Sequence, residues 1–267
     1  MIKNILKKTL LCVSEKGDCM GKFVLIGGGE CGRPGTVYET EVIDKEIISL
    51  TGKSKPNYLL IALASLKPEL YYYVMRNVYE DIHECYTDQI LMSDLEDYEI
   101  LKKKIEWADI IYVGGGDTLK LMKSMRKYKM DQLLKEAYDN GKVLCGVSAG
   151  AICWCDYGNS DSRKITSDSE NMIRVKGLGF LPVLLCPHYD VESYRKPSLK
   201  EMMKRTYKMP AIALDNGAAL EVVDGEFRII TCFDWSTATK CYWKKSDYIE
   251  EKFQYGKQYN IEELYRR

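Results

Sequence analysis

Residues 142–155 read KVLCGVSAGAICWC, and this stretch decides the fold. Val143 to Val147 form a short apolar run of the kind that makes a buried strand, and the residues from Ala149 onward carry a helical pattern. Gly146 and Gly150 flank Ser148, and glycines on both sides of a central residue let the chain turn sharply from strand to helix. Such a turn lifts the serine hydroxyl to the carboxyl edge of a sheet. It also aims the Ala149 N–H and the new helix end at a developing oxyanion. Ser148 is therefore the candidate nucleophile, with a simple packing turn as the competing reading.

Working outward, apolar runs rich in β-branched residues recur at 23–26, 58–63, 109–113, 142–147 and 183–188. Helical patterns separate them at 36–51, 67–84, 94–106, 117–139 and 149–155, with another at 197–207. This alternation predicts an α/β chain, a mostly parallel sheet with helices on both faces. Asp224-Gly225 between ALEVV and FRIIT predicts a two-residue hairpin. The Lys-, Tyr- and Glu-rich C-terminal tail reads as a solvated edge and helix. The YYYV run at 71–74 reads as helical packing with exposed hydroxyls.

Composition narrows the function classes. The chain has 267 residues with 39 basic and 39 acidic side chains, so no net charge draws it to nucleic acid or an anionic membrane. A small neutral or zwitterionic ligand suits it better. Ten cysteines lie scattered through apolar runs without a CxxC pair, which predicts reduced core thiols and no metal site. No apolar stretch approaches the ~20 residues of a membrane-spanning helix. Residues 1–19, MIKNILKKTLLCVSEKGDC, lack the apolar core of a signal peptide and read as an N-terminal extension. Residues 20–267 then form a single α/β domain, expected in the cytoplasm, with a homodimer left open.

A serine nucleophile needs a base, and the chain holds only two histidines, His83 and His188. His83 sits among charges on a predicted helix, where a surface role is expected. His188 ends the apolar run 183–188, at the sheet edge where Ser148 should lie, and is the candidate base. For the group that orients the imidazole, Asp215 at the end of the run AIALD is favoured. Asp190 reads as a turn cap, and Glu221, inside ALEVV, as solvent-facing. Two glycine runs, Gly27-Gly28-Gly29 and Gly114-Gly115-Gly116, match neither dinucleotide- nor phosphate-binding spacing. Close backbone approach to a substrate is expected of them, with Gly115 as a second oxyanion-hole donor beside Ala149.

Taken together, IGGGE at 26–30, YVGGGDT at 112–118, GVSAGA at 146–151, CPHYD at 186–190 and ALDNGAALEV at 213–222 resemble the peptidase E family of serine peptidases, relatives of the cyanophycinases. The resemblance implies a three-layer α/β/α sandwich related to class I glutamine amidotransferases, with serine in place of their cysteine; Cys145 lies three residues too early to be that thiol. It implies Ser148 as nucleophile, His188 as base and the Gly115 run as oxyanion hole. The family's acid falls on Asn216, one residue after Asp215, so either an Asp215 carboxylate or an Asn216 amide completes the site. The resemblance also implies cleavage of dipeptides with an N-terminal aspartate, with Arg195 placed to hold the carboxylate, and no cofactor. A hydrolase for β-aspartyl peptides or esters, and a homologue without turnover, are the alternatives.

Overall fold

The computed structural model describes residues 21–266 apart from 168, 170, 192, 207 and 208; the extension at 1–19 lies outside the described residues. Two sheets carry the described residues. The first has eight strands in the order β14-β11-β10-β1-β5-β4-β2-β3. Its centre is parallel: β1 (Lys22–Ile26), β5 (Val143–Val147), β4 (Ile110–Val113), β2 (Asn57–Ile61) and β3 (Tyr86–Gln89). An antiparallel flank of β10 (Ala218–Val223), β11 (Glu226–Thr231) and β14 (Tyr259–Asn260) extends it on the β1 side.

The central strands read as unbroken apolar runs because both of their faces are buried. Phe23 and Leu25 point into one core with Leu59, Ile61 and Leu144. Val24 and Ile26 point into the opposite core with Tyr58, Leu60 and Cys145. Alternate residues of one strand thus serve two layers, as the period of two requires. The expected α/β sandwich is present.

The second sheet was not foreseen. Six strands run in the order β13-β12-β9-β8-β6-β7. β6 (Cys155–Ser160), β8 (Leu181–Cys186) and β9 (Ala211–Leu214) are parallel, while β7 (Ile173–Lys176), β12 (Ala238–Lys244) and β13 (Asp247–Lys252) are antiparallel. The run 183–188 therefore belongs to a different sheet from Ser148. Most of the supposed solvated tail is the β12–β13 hairpin, in which Ala238 to Tyr242 are buried while the edge strand β13 keeps most of its side chains exposed.

Several helices are shorter than their patterns. The 117–139 pattern divides into Thr118–Lys127 and Met130–Asp139, because Lys129 adopts the left-handed region at φ 54° between them. Pro68–Arg76 continues as a π-helical segment, Asn77–Ile82, where a helix over 67–84 was expected. Glu221 is buried rather than solvent-facing: its carboxylate receives the Arg228 Nε and Nη2 at 2.7 and 3.0 Å from the next strand.

The Asp224-Gly225 hairpin forms as read, with φ of 48° and 80° at the two turn residues. An added Cβ at Gly225 meets open space, so the backbone angle alone opposes substitution. Gly225→Ala is expected to destabilise the protein by about 1 kcal/mol, seen as a lower urea midpoint with unchanged m-value. Any catalytic activity should be untouched.

Candidate active site

Three loops meet on the exit of β1. The Ser148 N–H donates to the Ile26 carbonyl at 3.0 Å, the His188 N–H to the Gly27 carbonyl at 3.1 Å, and the Gly217 N–H to the Gly28 carbonyl at 2.9 Å. Three successive carbonyls thus hold the turn after β5, the turn after β8 and the turn after β9. The last two arrive from the second sheet, so the site lies at the seam between the sheets.

Ser148 occupies φ 55°, ψ −110°, a region that a residue with a side chain rarely adopts. It ends β5 and precedes the short helix Ala149–Ile152, as the elbow reading requires. The flanking glycines are there for contact. A Cβ on Gly146 would sit 2.6 Å from the Gly150 carbonyl oxygen, and one on Gly150 would sit 1.9 Å from that of Val113.

His188, itself at φ 54°, brings Nε2 to 2.9 Å from Ser148 Oγ. Its Nδ1 lies 2.7 Å from Asn216 Oδ1. An amide oxygen only accepts, so this pairing puts the ring proton on Nδ1 and leaves Nε2 free to accept from the serine hydroxyl. Asn216 is itself fixed, with its N–H donating to Asp190 Oδ1 at 2.8 Å and its carbonyl accepting from Ser236 Oγ at 2.5 Å.

Asp215 turns the other way, a correction to the sequence reading. Its Oδ2 accepts from the Thr237 N–H at 3.0 Å, and its own N–H donates to the Thr237 carbonyl at 3.1 Å, so it faces β12 rather than the imidazole. Burial, with the nearby Asp190 charge, pushes its carboxyl up to about 6. Asp190 ties the turn after His188 to the turn carrying Asn216, beyond the local cap expected of it.

Arg195 is also relocated. It is 1% exposed, neither in a loop nor solvated. Its Nη1 donates to the Asn159 carbonyl at 2.8 Å and its Nη2 lies 3.4 Å from Asp161. These contacts anchor the Arg195–Lys204 helix to β6. His83 closes the π-helical segment, half-buried, with Nε2 3.0 Å from the Tyr38 hydroxyl; burial lowers its pKa.

The first glycine run does approach something closely, but that something is the protein itself. A Cβ on Gly28 would lie 2.1 Å from Asn216 Oδ1 and 2.4 Å from His188 Nδ1. In the second run, Gly115 borders Ser148, with its would-be Cβ 3.6 Å from the Ser148 Cβ. Its N–H, however, donates to the Tyr71 hydroxyl at 3.1 Å, so the amide expected to hold an oxyanion already has an acceptor. Tyr71 is the residue that the sequence reading missed; only its place in YYYV marked it.

Tyr71 and Gly29 also line a cavity of about 270 Å³ with Glu30, Cys31, Arg33, Ser65 and Lys67. Arg33 Nε bonds both Glu30 oxygens, at 3.0 and 2.8 Å, and this contact holds the Glu30 carboxyl below its ordinary range. Burial pushes the Cys31 thiol up to about 11, so it rests protonated. The cavity wall therefore offers one carboxylate and two cations.

Known proteins resemble this chain along most of its length. The profile of Peptidase family S51 matches residues 23–230. Uncharacterized peptidase YgaJ of Bacillus subtilis (strain 168) is 29% identical over 209 residues, covering 78% of this chain and 85% of that protein. The crystal structure of a peptidase from an acI-B1 Actinobacterium superposes with a TM-score of 0.66 at 18% identity, covering 91% of this chain and 98% of that one. A putative peptidase E from Listeria monocytogenes EGD-e superposes with a TM-score of 0.56 at 17% identity, covering 88% and 100%. At these identities the two structures speak to fold alone.

Two outcomes follow from the geometry. Gly28→Ala pushes a methyl group into the His188–Asn216 contact, and is expected to lower any hydrolytic rate by about 100-fold or more. The second concerns Asp215, whose folded carboxyl titrates near 6 against an ordinary 3.8. Its contribution to stability is full below pH 3.8, falls as pH rises through about 6, and is constant above. Relative to wild type, Asp215→Asn should gain about 1–3 kcal/mol between pH 4 and 7 in urea titrations.

Proposed function

The chain belongs to peptidase family S51, and from that premise we propose that it is a serine-type peptidase acting on short peptides through Ser148, His188 and Asn216. The observation that carries this reading is the 2.9 Å approach of His188 Nε2 to the hydroxyl of a serine held at a strained elbow. A packing turn has no use for an imidazole there.

His188 takes the serine proton as Oγ attacks the scissile carbonyl carbon, and the carbonyl π pair moves to oxygen. When the tetrahedral adduct collapses, His188 returns the proton to the departing amine nitrogen. Water then repeats the sequence on the acyl-enzyme, with His188 again as base. Asn216 holds the imidazole by its Nδ1–H in the tautomer that leaves Nε2 basic, the task performed by asparagine in Cys-His-Asn peptidases. The Ala149 N–H, in the first turn of the helix that follows Ser148, is the oxyanion donor in this reading.

The substrate reading is a short peptide with free termini. A cavity of about 270 Å³ beside the site suits a few residues at most, and its mixture of Glu30 with Arg33 and Lys67 complements a zwitterion. The family resemblance favours an N-terminal aspartate. With Arg195 enclosed and Arg33 paired to Glu30, Lys67 is the cation of this cavity wall that we assign to an acidic side chain.

Fluorophosphonate labelling tests the nucleophile: the adduct should map to Ser148 and vanish in Ser148→Ala. An unlabelled wild type that also fails on every peptide would instead identify a homologue without turnover. Among Asp-Xaa, neutral and N-blocked dipeptides, turnover should be greatest for the first and lost for the last. Asn216→Ala should lower kcat about 100-fold, whereas Asp215→Asn should stay within about threefold of wild type.

A further inference from the structure

The three tyrosines of YYYV lie on the Pro68–Arg76 helix, and successive helical residues point about 100° apart. Their hydroxyls consequently have different fates. Tyr73 faces solvent, and Tyr72 reaches the Thr87 carbonyl at 3.3 Å. Tyr71 turns inward. Its ring lies over Gly114, where an added Cβ would be 3.0 Å from Cζ, and its hydroxyl accepts the Gly115 N–H at 3.1 Å.

A phenol oxygen has two lone pairs and one proton. The bond from Gly115 occupies a lone pair and leaves the proton available for donation. The half-buried Tyr71 also lines the cavity that we assign to substrate, so there is room beside it for a peptide carbonyl. Burial raises the phenol pKa, which keeps the proton in place at working pH. Gly115, the donor behind that hydroxyl, is in turn the residue that borders the Ser148 Cβ.

We propose that the Tyr71 hydroxyl is the second donor of the oxyanion hole, hydrogen-bonding the substrate oxyanion together with the Ala149 N–H. The inference rests on Ser148 being the nucleophile. Gly115 then acts one step back: its N–H orients the phenol and, by polarising it, makes it a stronger donor. No bond to hydrogen breaks at Tyr71, which keeps its proton through acylation and deacylation. The competing role, a tyrosine that merely caps the Gly115 amide until substrate displaces it, predicts the opposite effect of removing the hydroxyl.

Tyr71→Phe keeps the ring on Gly114 and removes one oxygen. On the best dipeptide substrate, kcat should fall about 100-fold with KM within about threefold, because the bond strengthens as negative charge develops. Affinity for a peptide boronate, which forms a tetrahedral adduct on serine, should fall in parallel, while affinity for the product peptide should not. Tyr71→Met, checked with Tyr71→Phe by urea midpoint and circular dichroism, should behave alike if the phenylalanine variant folds poorly. A folded variant with wild-type or faster turnover overturns the proposal while Ser148 still labels and still carries the reaction. A wild type that neither labels at Ser148 nor cleaves any peptide overturns both.

Discussion

The site depends on how closely the backbone leaving β1 passes beneath the His188–Asn216 pair. With no Cβ at Gly28, the chain lies under both side chains at a distance that any other residue would block. From that position the carbonyls of Ile26, Gly27 and Gly28 receive the N–H groups of Ser148, His188 and Gly217 in turn. One short backbone segment thereby sets the relative positions of three loops from two sheets. A hydroxyl and an imidazole 40 residues apart in sequence come within proton-transfer range because both are measured from the same strand.

This anchoring also sustains the strain. Ser148 and His188 both have positive φ, each a conformation that costs about 1–3 kcal/mol for a residue with a side chain. Such angles persist only when surrounding contacts over-determine them. Ser148 is gripped on one side by β1 and on the other by its own helix, whose Ala151 and Ile152 N–H groups donate to the Ser148 carbonyl. His188 is held by Gly27 beneath it, and the next residue, Tyr189, donates to the Leu214 carbonyl. Reactive groups on strained but locked backbones need little reorganisation when substrate arrives.

Sequence revealed the parts of this site that are local. The elbow around Ser148 is a contiguous pattern, and a chain with two histidines leaves little freedom in choosing a base. The parallel core was legible because strands buried on both faces become unbroken apolar runs. The orienting group was not, since Asp215 and Asn216 are adjacent and which one faces His188 depends on where the turn after β9 reverses. Pairing with Thr237 of the β12 side fixes that reversal, and β12 lies in the Lys- and Tyr-containing C-terminal stretch that reads as tail. Arg195 misled for a related reason: only the folded β6 supplies the Asn159 carbonyl and Asp161 that enclose it. Nothing in YYYV separates Tyr71 from its neighbours, because the distinction is a rotation about a helix axis.

A neutral amide behind the imidazole changes the electrostatics of the reaction. With a carboxylate there, the imidazolium formed during attack has a ready counter-charge; with Asn216 it has only a dipole. Of the nearby acids, Asp190 binds the Asn216 N–H rather than the imidazole. Glu30 is engaged by Arg33, and Asp215 faces β12 rather than the imidazole. Proton transfer from Ser148 therefore creates a cation and an oxyanion from an uncharged start, and the main partner of the imidazolium is the oxyanion itself. Charge separation of that kind is favourable in a partly buried site only if fixed dipoles receive both charges. Asn216 Oδ1 meets the cation, so the anion's share falls on the Ala149 N–H and on the Tyr71 hydroxyl backed by Gly115. A site that gives up its carboxylate has more need of a strong donor on the other side of the reacting carbonyl.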